Sequence, residues 1–158
     1  MGVLPPFRIE RLADHDRRGF SSGKSSVDRW FRESAGQMAS RGLAATHVMV
    51  ETASGEITGY YSLSNFTVLA TELPPELGRK LPQRLPIPAH LIGQLGVDAR
   101  YQGQGYGRAL VYDATRRAEQ QTTQSASFGV IVHALTPELA RWYTQLVLLP
   151  TRCISSSA

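Results

Sequence analysis

The sequence predicts a mixed α/β fold, and three observations carry that prediction. Short apolar runs rich in β-branched residues recur along the chain. Between them lie segments whose apolar residues are three and four positions apart, as on one face of a helix. A glycine-rich turn at residues 102–108 joins the clearest strand to the clearest helix. We therefore expect a central sheet with helices on both faces, in a single domain spanning residues 1–158.

The first half of the chain is predicted to form a strand, a helical region and two further strands. The opening strand is predicted over residues 7–10. Ser25 or Ser26 is placed to cap the following helix, because a serine oxygen can accept a hydrogen bond from a free N–H at a helix start. Strands over residues 46–50 and 57–63 flank a Ser-Gly turn, so they are expected to pair.

The second half begins with a proline-rich, basic segment over residues 73–88, long enough for a functional loop and able to hold one helical turn. Strands are predicted at 91–97 and 128–134. Apolar residues at helical spacing over 109–118 predict a helix after the glycine-rich turn, and a Thr-Pro pair at 136–137 starts another. The residues from about 150 to 158 are expected to be irregular.

Composition narrows the class of protein. Hydrophobic residues make up 42% and charged residues 19% of 158, which is ordinary for a globular protein. No apolar run approaches the roughly 18 residues of a membrane span, and the start does not resemble a signal peptide. The single cysteine, Cys153, and the lack of a Cys/His cluster predict a cytoplasmic protein with no metal. A net charge of +4 permits a polyanionic partner.

The glycine-rich turn at 102–108 has the features of a phosphate site. Glycines let the backbone turn sharply and approach a ligand, and the start of a helix attracts anions. A P-loop would end in Gly-Lys-Ser/Thr, where this chain has Arg108 and Ala109. A dinucleotide fingerprint would need a glycine at position 108. The turn therefore belongs to neither of these two classes.

The pattern Gln-x-x-Gly-x-Gly at 102–107, after a strand ending in Leu-Gly-Val-Asp, resembles the acetyl-CoA loop of the GNAT N-acetyltransferase superfamily. Further motifs resemble GNAT toxins of bacterial toxin–antitoxin operons: Phe20-x-x-Gly23 with the helix after it, the strand at 59–64, and the Pro-Ile-Pro segment at 86–88. The resemblance covers roughly residues 7–143.

The resemblance implies a GNAT fold in which the strands at 91–97 and 128–134 run parallel, and it implies acetyl-CoA as cofactor. The expected cofactor-binding residues are Leu95, Gly96, Val97, Gln102, Gly103, Gln104, Gly105, Tyr106, Gly107 and Arg108. Members of this branch acetylate the α-amine of aminoacyl-tRNA and so block translation. Their usual partner is an antitoxin with a ribbon-helix-helix DNA-binding part.

Tyr143 resembles the tyrosine that the family places on the helix after the second parallel strand, near the cofactor sulfur. A phenol is protonated at neutral pH and can donate its proton to a departing thiolate. Packing in the core is the alternative role for this tyrosine. His90 and His133 are candidate bases, but histidines in strands are more often structural. Backbone N–H groups around Val97 are candidates for an oxyanion site.

Basic side chains outside the loop are candidates for tRNA contacts, because phosphate recognition by such groups is independent of sequence. The residues chosen are Lys24, Arg29, Arg32 and Arg84. Acidic residues are interleaved among them, so a solvated helix face is the alternative.

The C-terminal end departs from the family pattern. Val147 and Leu148 stand where the family has Gly-Phe, and too few residues follow for a full closing strand. An open sheet edge would favour either a homodimer or aggregation. Three functions are therefore open: the aminoacyl-tRNA acetylating toxin, a GNAT enzyme for a small-molecule or protein amine, and a catalytically weak module that binds acetyl-CoA or an antitoxin.

Overall fold

The computed structural model describes residues 3–134, 137–145 and 153–157. In chain order the elements are β1 Phe7–Arg11, α1 Ser25–Arg29, a π-helical turn Trp30–Ser34, α2 Ala35–Ser40, β2 Ala45–Glu51, β3 Ile57–Val68, a 3₁₀ turn Ala70–Glu72, α3 Pro75–Gly78, β4 Ile87–Val97, a 3₁₀ turn Ala99–Tyr101, α4 Tyr106–Gln121, β5 Val130–Ala134, α5 Pro137–Gln145 and β6 Cys153–Ser157. The described strands have the order β1-β2-β3-β4-β5-β6. In the described parts of the chain, no helix is both long and apolar enough to cross a membrane.

The sheet is mixed, as predicted. β1 pairs antiparallel with β2, and β2 pairs antiparallel with β3 through a register shift between Met49 and Val50. β4 pairs parallel with β5, with His90 opposite Val130. A parallel pair needs a long crossover, and the glycine-rich turn and α4 supply it. The predicted pairing of the second and third strands and the parallel arrangement of the next two are confirmed.

The expectation of an irregular C-terminal end is wrong for residues 153–157. These residues form β6, which runs parallel to β5 from Cys153 opposite Val130 to Ser157 opposite Ala134. A strand pairs through its backbone N–H and C=O groups, so a weakly patterned Cys-Ile-Ser-Ser-Ser segment can still form a ladder. These five residues are enough to pair with β5, so the chain has a closing strand.

The contacts of the chain fall into two compact units. Unit 1 comprises Met1–Ser64 and Gly93–Ala114, and unit 2 comprises Asn65–Ile92 and Thr115–Ala158. Each unit has its own apolar core.

In unit 1, successive side chains of β3 contact helices on opposite faces of the sheet. The ring of Tyr60 stacks on Phe31 with centroids 4.1 Å apart, and its hydroxyl donates to the carbonyl of Val27 at 2.7 Å. The hydroxyl of the next residue, Tyr61, donates to Asp113 of α4 at 2.6 Å. Helices therefore cover both faces, as the sequence predicts.

In unit 2, an apolar cluster lies beneath the proline-rich segment of residues 73–88. Its buried members are Val68, Leu73, Ile87, Ala89 and Ile131. The helical turn expected in this segment is present as α3, with Pro74 at its N-cap position. Apolar packing thus gives this long connection a fixed path.

Candidate functional site

The glycine-rich turn is separated from β4 only by Asp98 and the 3₁₀ turn Ala99–Tyr101. After the 3₁₀ turn, residues 102–105 make a solvent-exposed turn that leads into α4. Gly103 and Gly105 have φ angles of +76° and +97°, in the left-handed region that favours glycine. A Cβ atom on either residue would meet nothing within 4 Å. The backbone here consequently faces open space that a ligand can occupy.

The start of α4 adds the electrostatic part of the site. The first N–H groups of a helix have no acceptors within it, and the helix dipole favours an anion there. Tyr106 is 2% exposed, with its ring 5.4 Å from that of Tyr101, so its side chain anchors the helix and only its backbone is offered to a ligand. Arg108 is exposed on the first helical turn. This arrangement fits a phosphate or pyrophosphate group.

The end of β4 lies close beneath the N-terminal helix. A Cβ atom on Gly96 would stand 2.7 Å from Cγ1 of Val27 and 3.3 Å from Cε1 of Tyr60. Glycine is therefore required for close packing at this point. The N–H of Asp98 donates to the carbonyl of Thr58 at 2.9 Å, which fixes where the strand ends.

Residues 20–23, here called the N-terminal turn, are bonded to the segment that carries the glycine-rich turn. Three successive carbonyls accept hydrogen bonds: Phe20 from Nη1 of Arg32 at 2.9 Å, Ser21 from the N–H of Ala99 at 2.8 Å, and Ser22 from Nε2 of Gln102 at 2.7 Å. The N–H groups are also bonded, that of Ser21 to Asp98 at 3.2 Å and that of Ser22 to Asp28 at 2.9 Å.

The predicted serine cap of α1 is wrong. Ser25 is the first helical residue, and Lys24 stands at the N-cap position without a side-chain capping bond. The N–H of Lys24 instead donates to Oγ of Ser22 at 3.2 Å, and that hydroxyl donates to the carboxylate of Asp28 at 2.7 Å. A serine three positions earlier thus organises the helix start.

Asp98 is the acidic centre of this region and is 2% exposed. It accepts hydrogen bonds from the N–H of Ser21 and from the backbone and guanidinium of Arg100. Burial acts to raise the pKa of Asp98, but the hydrogen bonds from Arg100 and Ser21 outweigh it and leave that pKa below its usual value. Arg100 also contacts Glu56 at 3.2 Å, which accepts a hydrogen bond from Tyr101.

No role is predicted from the sequence for Asp98, Asp28 or Ser22. Asp98 is the N-cap residue of the 3₁₀ turn, and aspartate just before a helical turn is a recognisable capping signal. The bonds of Ser22 and Asp28 have no comparable sequence signature.

The residues predicted to contact tRNA are all exposed, but they do not all belong to the same unit. Lys24, Arg29 and Arg32 are exposed in unit 1, and Arg84 is exposed in unit 2. Tyr143 lies on α5, with its side chain outside the described part of the structure.

The two histidines proposed as bases differ in environment. His90 is buried with Nδ1 2.9 Å from Oγ of Ser127, and burial lowers its pKa. His133 is exposed on β5, with its ring edge-on to Phe66 at 5.8 Å. The environment of His90 is that of a structural histidine.

Known proteins share this architecture. The sequence profile of the Acetyltransferase (GNAT) family matches residues 9–140. A tRNA-acetylating toxin of Mycobacterium tuberculosis is 31% identical over 134 residues, which are 84% of this chain and 78% of the toxin.

Two solved structures share the fold. AtaT complexed with acetyl-methionyl-tRNAfMet has a TM-score of 0.81 at 23% identity, covering 92% of this chain and 88% of that one. A tyrosine-to-phenylalanine mutant of the AtaT toxin, bound to the C-terminus of the antitoxin AtaR and acetyl-CoA, has a TM-score of 0.74 at 20% identity, covering 92% and 89%. The family match spans the N-terminal turn, the strands β2 to β5 and the glycine-rich turn, and the chain belongs to the acetyltransferase (GNAT) family, which uses acetyl-CoA as its acetyl donor.

Proposed function

We propose that this protein is a toxin that transfers the acetyl group of acetyl-CoA to the α-amine of aminoacyl-tRNA and thereby blocks translation. The observation that carries the proposal is the 31% identity, over 84% of the chain, to a protein named as a tRNA-acetylating toxin. The open glycine-rich turn before α4 supports the cofactor half of the proposal, because its geometry suits a pyrophosphate.

The cofactor would lie along the end of β4 and on the glycine-rich turn. Acetyl-CoA supplies the acetyl group as an activated thioester. The backbone of Leu95, Gly96 and Val97 would hold the pantetheine arm as an added strand, and the N–H groups of residues 103–108 would hold the pyrophosphate. Backbone N–H groups around Val97 would polarise the thioester carbonyl.

Tyr143 is proposed as the general acid. Its position on α5, the helix that follows β5, is the one the resemblance assigns to the catalytic tyrosine. Its phenol would protonate the departing thiolate. An α-amine titrates near neutral pH, so a useful fraction is already uncharged and a strong base is not required. His90 is also not needed as a base, because it is buried and its Nδ1 contacts Oγ of Ser127, as in a structural histidine.

The tRNA would contact exposed cations on the N-terminal helix. Lys24 and Arg29 are exposed, and their side chains make no ion pair or hydrogen bond to other described residues. Such groups can neutralise phosphates without first breaking internal bonds. Arg84 is a second exposed candidate, whereas the guanidinium of Arg32 already donates to the carbonyl of Phe20.

An antitoxin is the expected protein partner, because an AtaT structure of the same fold holds the C-terminus of its antitoxin. We propose a ribbon-helix-helix antitoxin and a cytoplasmic site of action, where charged tRNA is found. Because β6 pairs with β5, a missing closing strand no longer supports a homodimer.

The direct test measures transfer of radiolabelled acetyl from acetyl-CoA to bulk charged tRNA, beside the variant Tyr143→Phe. We expect label on the aminoacyl-tRNA with the wild type and a loss of about a hundredfold or more with the variant. The label should disappear when the aminoacyl ester is hydrolysed, because the acetyl group sits on the amino acid.

Two other results have distinct meanings. Acetyl-CoA binding without transfer to tRNA would contradict the proposal and favour a small-molecule or protein amine, or a weak binding module. If Tyr143→Phe is as active as the wild type, the proposed tRNA substrate stands, but Tyr143 is not the general acid. The altered C-terminal motif was the argument for a weak module. β6 removes the part of that argument that concerned a missing closing strand, whereas Val147 and Leu148 lie outside the described residues.

A further inference from the structure

The side chain of Gln102 does not extend into the open space of the glycine-rich turn. Its amide nitrogen donates to the carbonyl of Ser22 at 2.7 Å and to the carbonyl of Val97 at 2.9 Å. A side-chain amide has two N–H donors, and these two bonds use both of them. Gln102 therefore bonds to the protein's own backbone, although the sequence suggested a contact with the cofactor.

The two carbonyls belong to segments far apart in sequence. Val97 ends β4, and Ser22, eighty positions before Gln102, lies in the N-terminal turn. Gln102 thus joins the first residue of the exposed turn to the strand end and to the start of the N-terminal helical region.

The N-terminal turn is itself held firmly, so it can serve as an anchor. Asp28, 5% exposed, accepts from both the N–H and the hydroxyl of Ser22. The carbonyl of Ser21 accepts from Ala99, and its N–H donates to Asp98. Bonds on both sides of Ser22 leave its carbonyl fixed in direction toward Gln102.

We propose that Gln102 is a positioning residue: by bridging the Ser22 and Val97 carbonyls it holds the glycine-rich turn in the conformation that receives the pyrophosphate. This inference rests on the proposed acetyl-CoA site. It separates the role of Gln102 from that of the glycines, whose open backbone would touch the ligand.

The chain provides two matched controls. Gln83 also donates its amide to two carbonyls, those of Gly78 at 2.9 Å and Leu81 at 2.7 Å, but both lie in its own segment. Gln104 lies in the glycine-rich turn, and its single amide contact, to the carbonyl of Arg100, is long at 3.4 Å. Gln83→Glu therefore tests the loss of a double carbonyl bridge, and Gln104→Glu tests a new negative charge beside the ligand.

The experiment is calorimetric titration of the full chain with CoA, an assay that needs neither tRNA nor acetyl transfer. We expect Gln102→Glu to weaken CoA binding about a hundredfold, because it loses two hydrogen bonds and sets a carboxylate against two carbonyl oxygens. Gln104→Glu should weaken it only about threefold through charge. Gln83→Glu should leave it unchanged.

Steady-state kinetics distinguish a positioning role of Gln102 from a direct role in acetyl transfer. In Gln102→Ala, KM for acetyl-CoA should rise about tenfold while kcat at saturating acetyl-CoA stays within about twofold of the wild type. This variant also serves if Gln102→Glu does not fold, since it loses the bridge without adding a charge.

Equal CoA affinities for Gln102→Glu and Gln104→Glu would overturn the inference while leaving the proposed function standing. A wild-type chain that binds no CoA would overturn the proposed cofactor site, and the inference with it. A fall in kcat at unchanged KM for Gln102→Ala would also contradict positioning.

Discussion

The N-terminal turn and the proline-rich segment are both irregular connections, yet different forces hold them. In the first, Ser22 is bonded through its N–H, its hydroxyl and its carbonyl, to partners that include the buried Asp28 and the distant Gln102. In the second, Leu73 and Ile87 pack in an apolar cluster, while the exposed Leu85 and its neighbours face solvent.

Two glutamines show the contrast most clearly. Gln83 and Gln102 each donate to two backbone carbonyls, at nearly the same distances. The bridge of Gln83 closes a local loop, whereas that of Gln102 connects segments that only the fold brings together. Hydrogen bonds are directional, so they fix the orientation of a backbone that faces a ligand. Apolar packing is not directional and fixes that orientation less strictly. The density of such bonds, more than the length of a loop, indicates where this chain requires a fixed geometry.

The largest loss of stability should follow removal of the acceptor at the centre of the polar region. Asp98→Ala leaves the part-buried N–H groups of Ser21 and Arg100, and the guanidinium of Arg100, without their carboxylate acceptor. We expect the free energy of unfolding to fall by about 3 kcal/mol, because a hydrogen bond to a charged acceptor contributes about 1.5–3 kcal/mol. Urea denaturation monitored by circular dichroism measures it. A loss below about 0.5 kcal/mol would contradict the assigned role of this carboxylate.

The same residue predicts a pH dependence. The pKa of Asp98 is lower in the folded chain than in the unfolded one, because its hydrogen bonds outweigh its burial. Its ionised form therefore stabilises the fold above the unfolded-state pKa of about 4, and this contribution disappears as pH falls through the folded-state pKa. The stability difference between the wild type and Asp98→Asn should be full at pH 7 and should shrink in acid. A difference that stays constant with pH would exclude the carboxylate as its source.

A somewhat smaller loss is expected in the apolar region. Leu73 is 7% exposed, so Leu73→Ala should lower the free energy of unfolding by about 2 kcal/mol through lost packing. CoA affinity should not change if the polar bonds of Gln102 and Asp98, rather than apolar packing, orient the glycine-rich turn. Unfolding and calorimetric titration of the same preparation provide both values. Weaker CoA binding in Leu73→Ala at a temperature where it is fully folded would remove the distinction between the two regions.

Local pattern was enough to predict most of the fold. The apolar runs predicted the strands β1 to β5 in chain order, and the glycines at residues 102–108 before a helical repeat predicted a turn followed by the helix α4. The closing strand β6 was missed because a short Cys-Ile-Ser-Ser-Ser segment lacks a strand pattern and is defined by its partner β5. Backbone pairing of this kind leaves little trace in side-chain type.

The site was predictable to the extent that it depends on local backbone. Gly103 and Gly105 adopt the left-handed conformation that their glycines permit. The bonds of Gln102, Asp98 and Asp28 to the N-terminal turn were not predicted, since each joins a side chain to a backbone N–H or C=O group, and nearly all residue types carry these groups. Only the folded arrangement shows which carbonyl is within reach.

The smallest expected effect on stability separates two neighbouring arginines that the sequence treats alike. Arg29→Ala should change the free energy of unfolding by less than about 0.5 kcal/mol, because its exposed side chain has no described partner. Arg32→Ala should cost about 1 kcal/mol, because Nη1 of Arg32 donates to the carbonyl of Phe20 at 2.9 Å. If the N-terminal turn anchors the glycine-rich turn, Arg32→Ala should also weaken CoA binding, whereas Arg29→Ala should weaken only the salt-dependent binding of tRNA. Measuring unfolding, CoA affinity and the salt dependence of tRNA binding for both variants decides the matter. If the two variants behave identically in all three, Phe20 is not part of the anchor, and the polar region is limited to the bonds around Ser21 and Ser22.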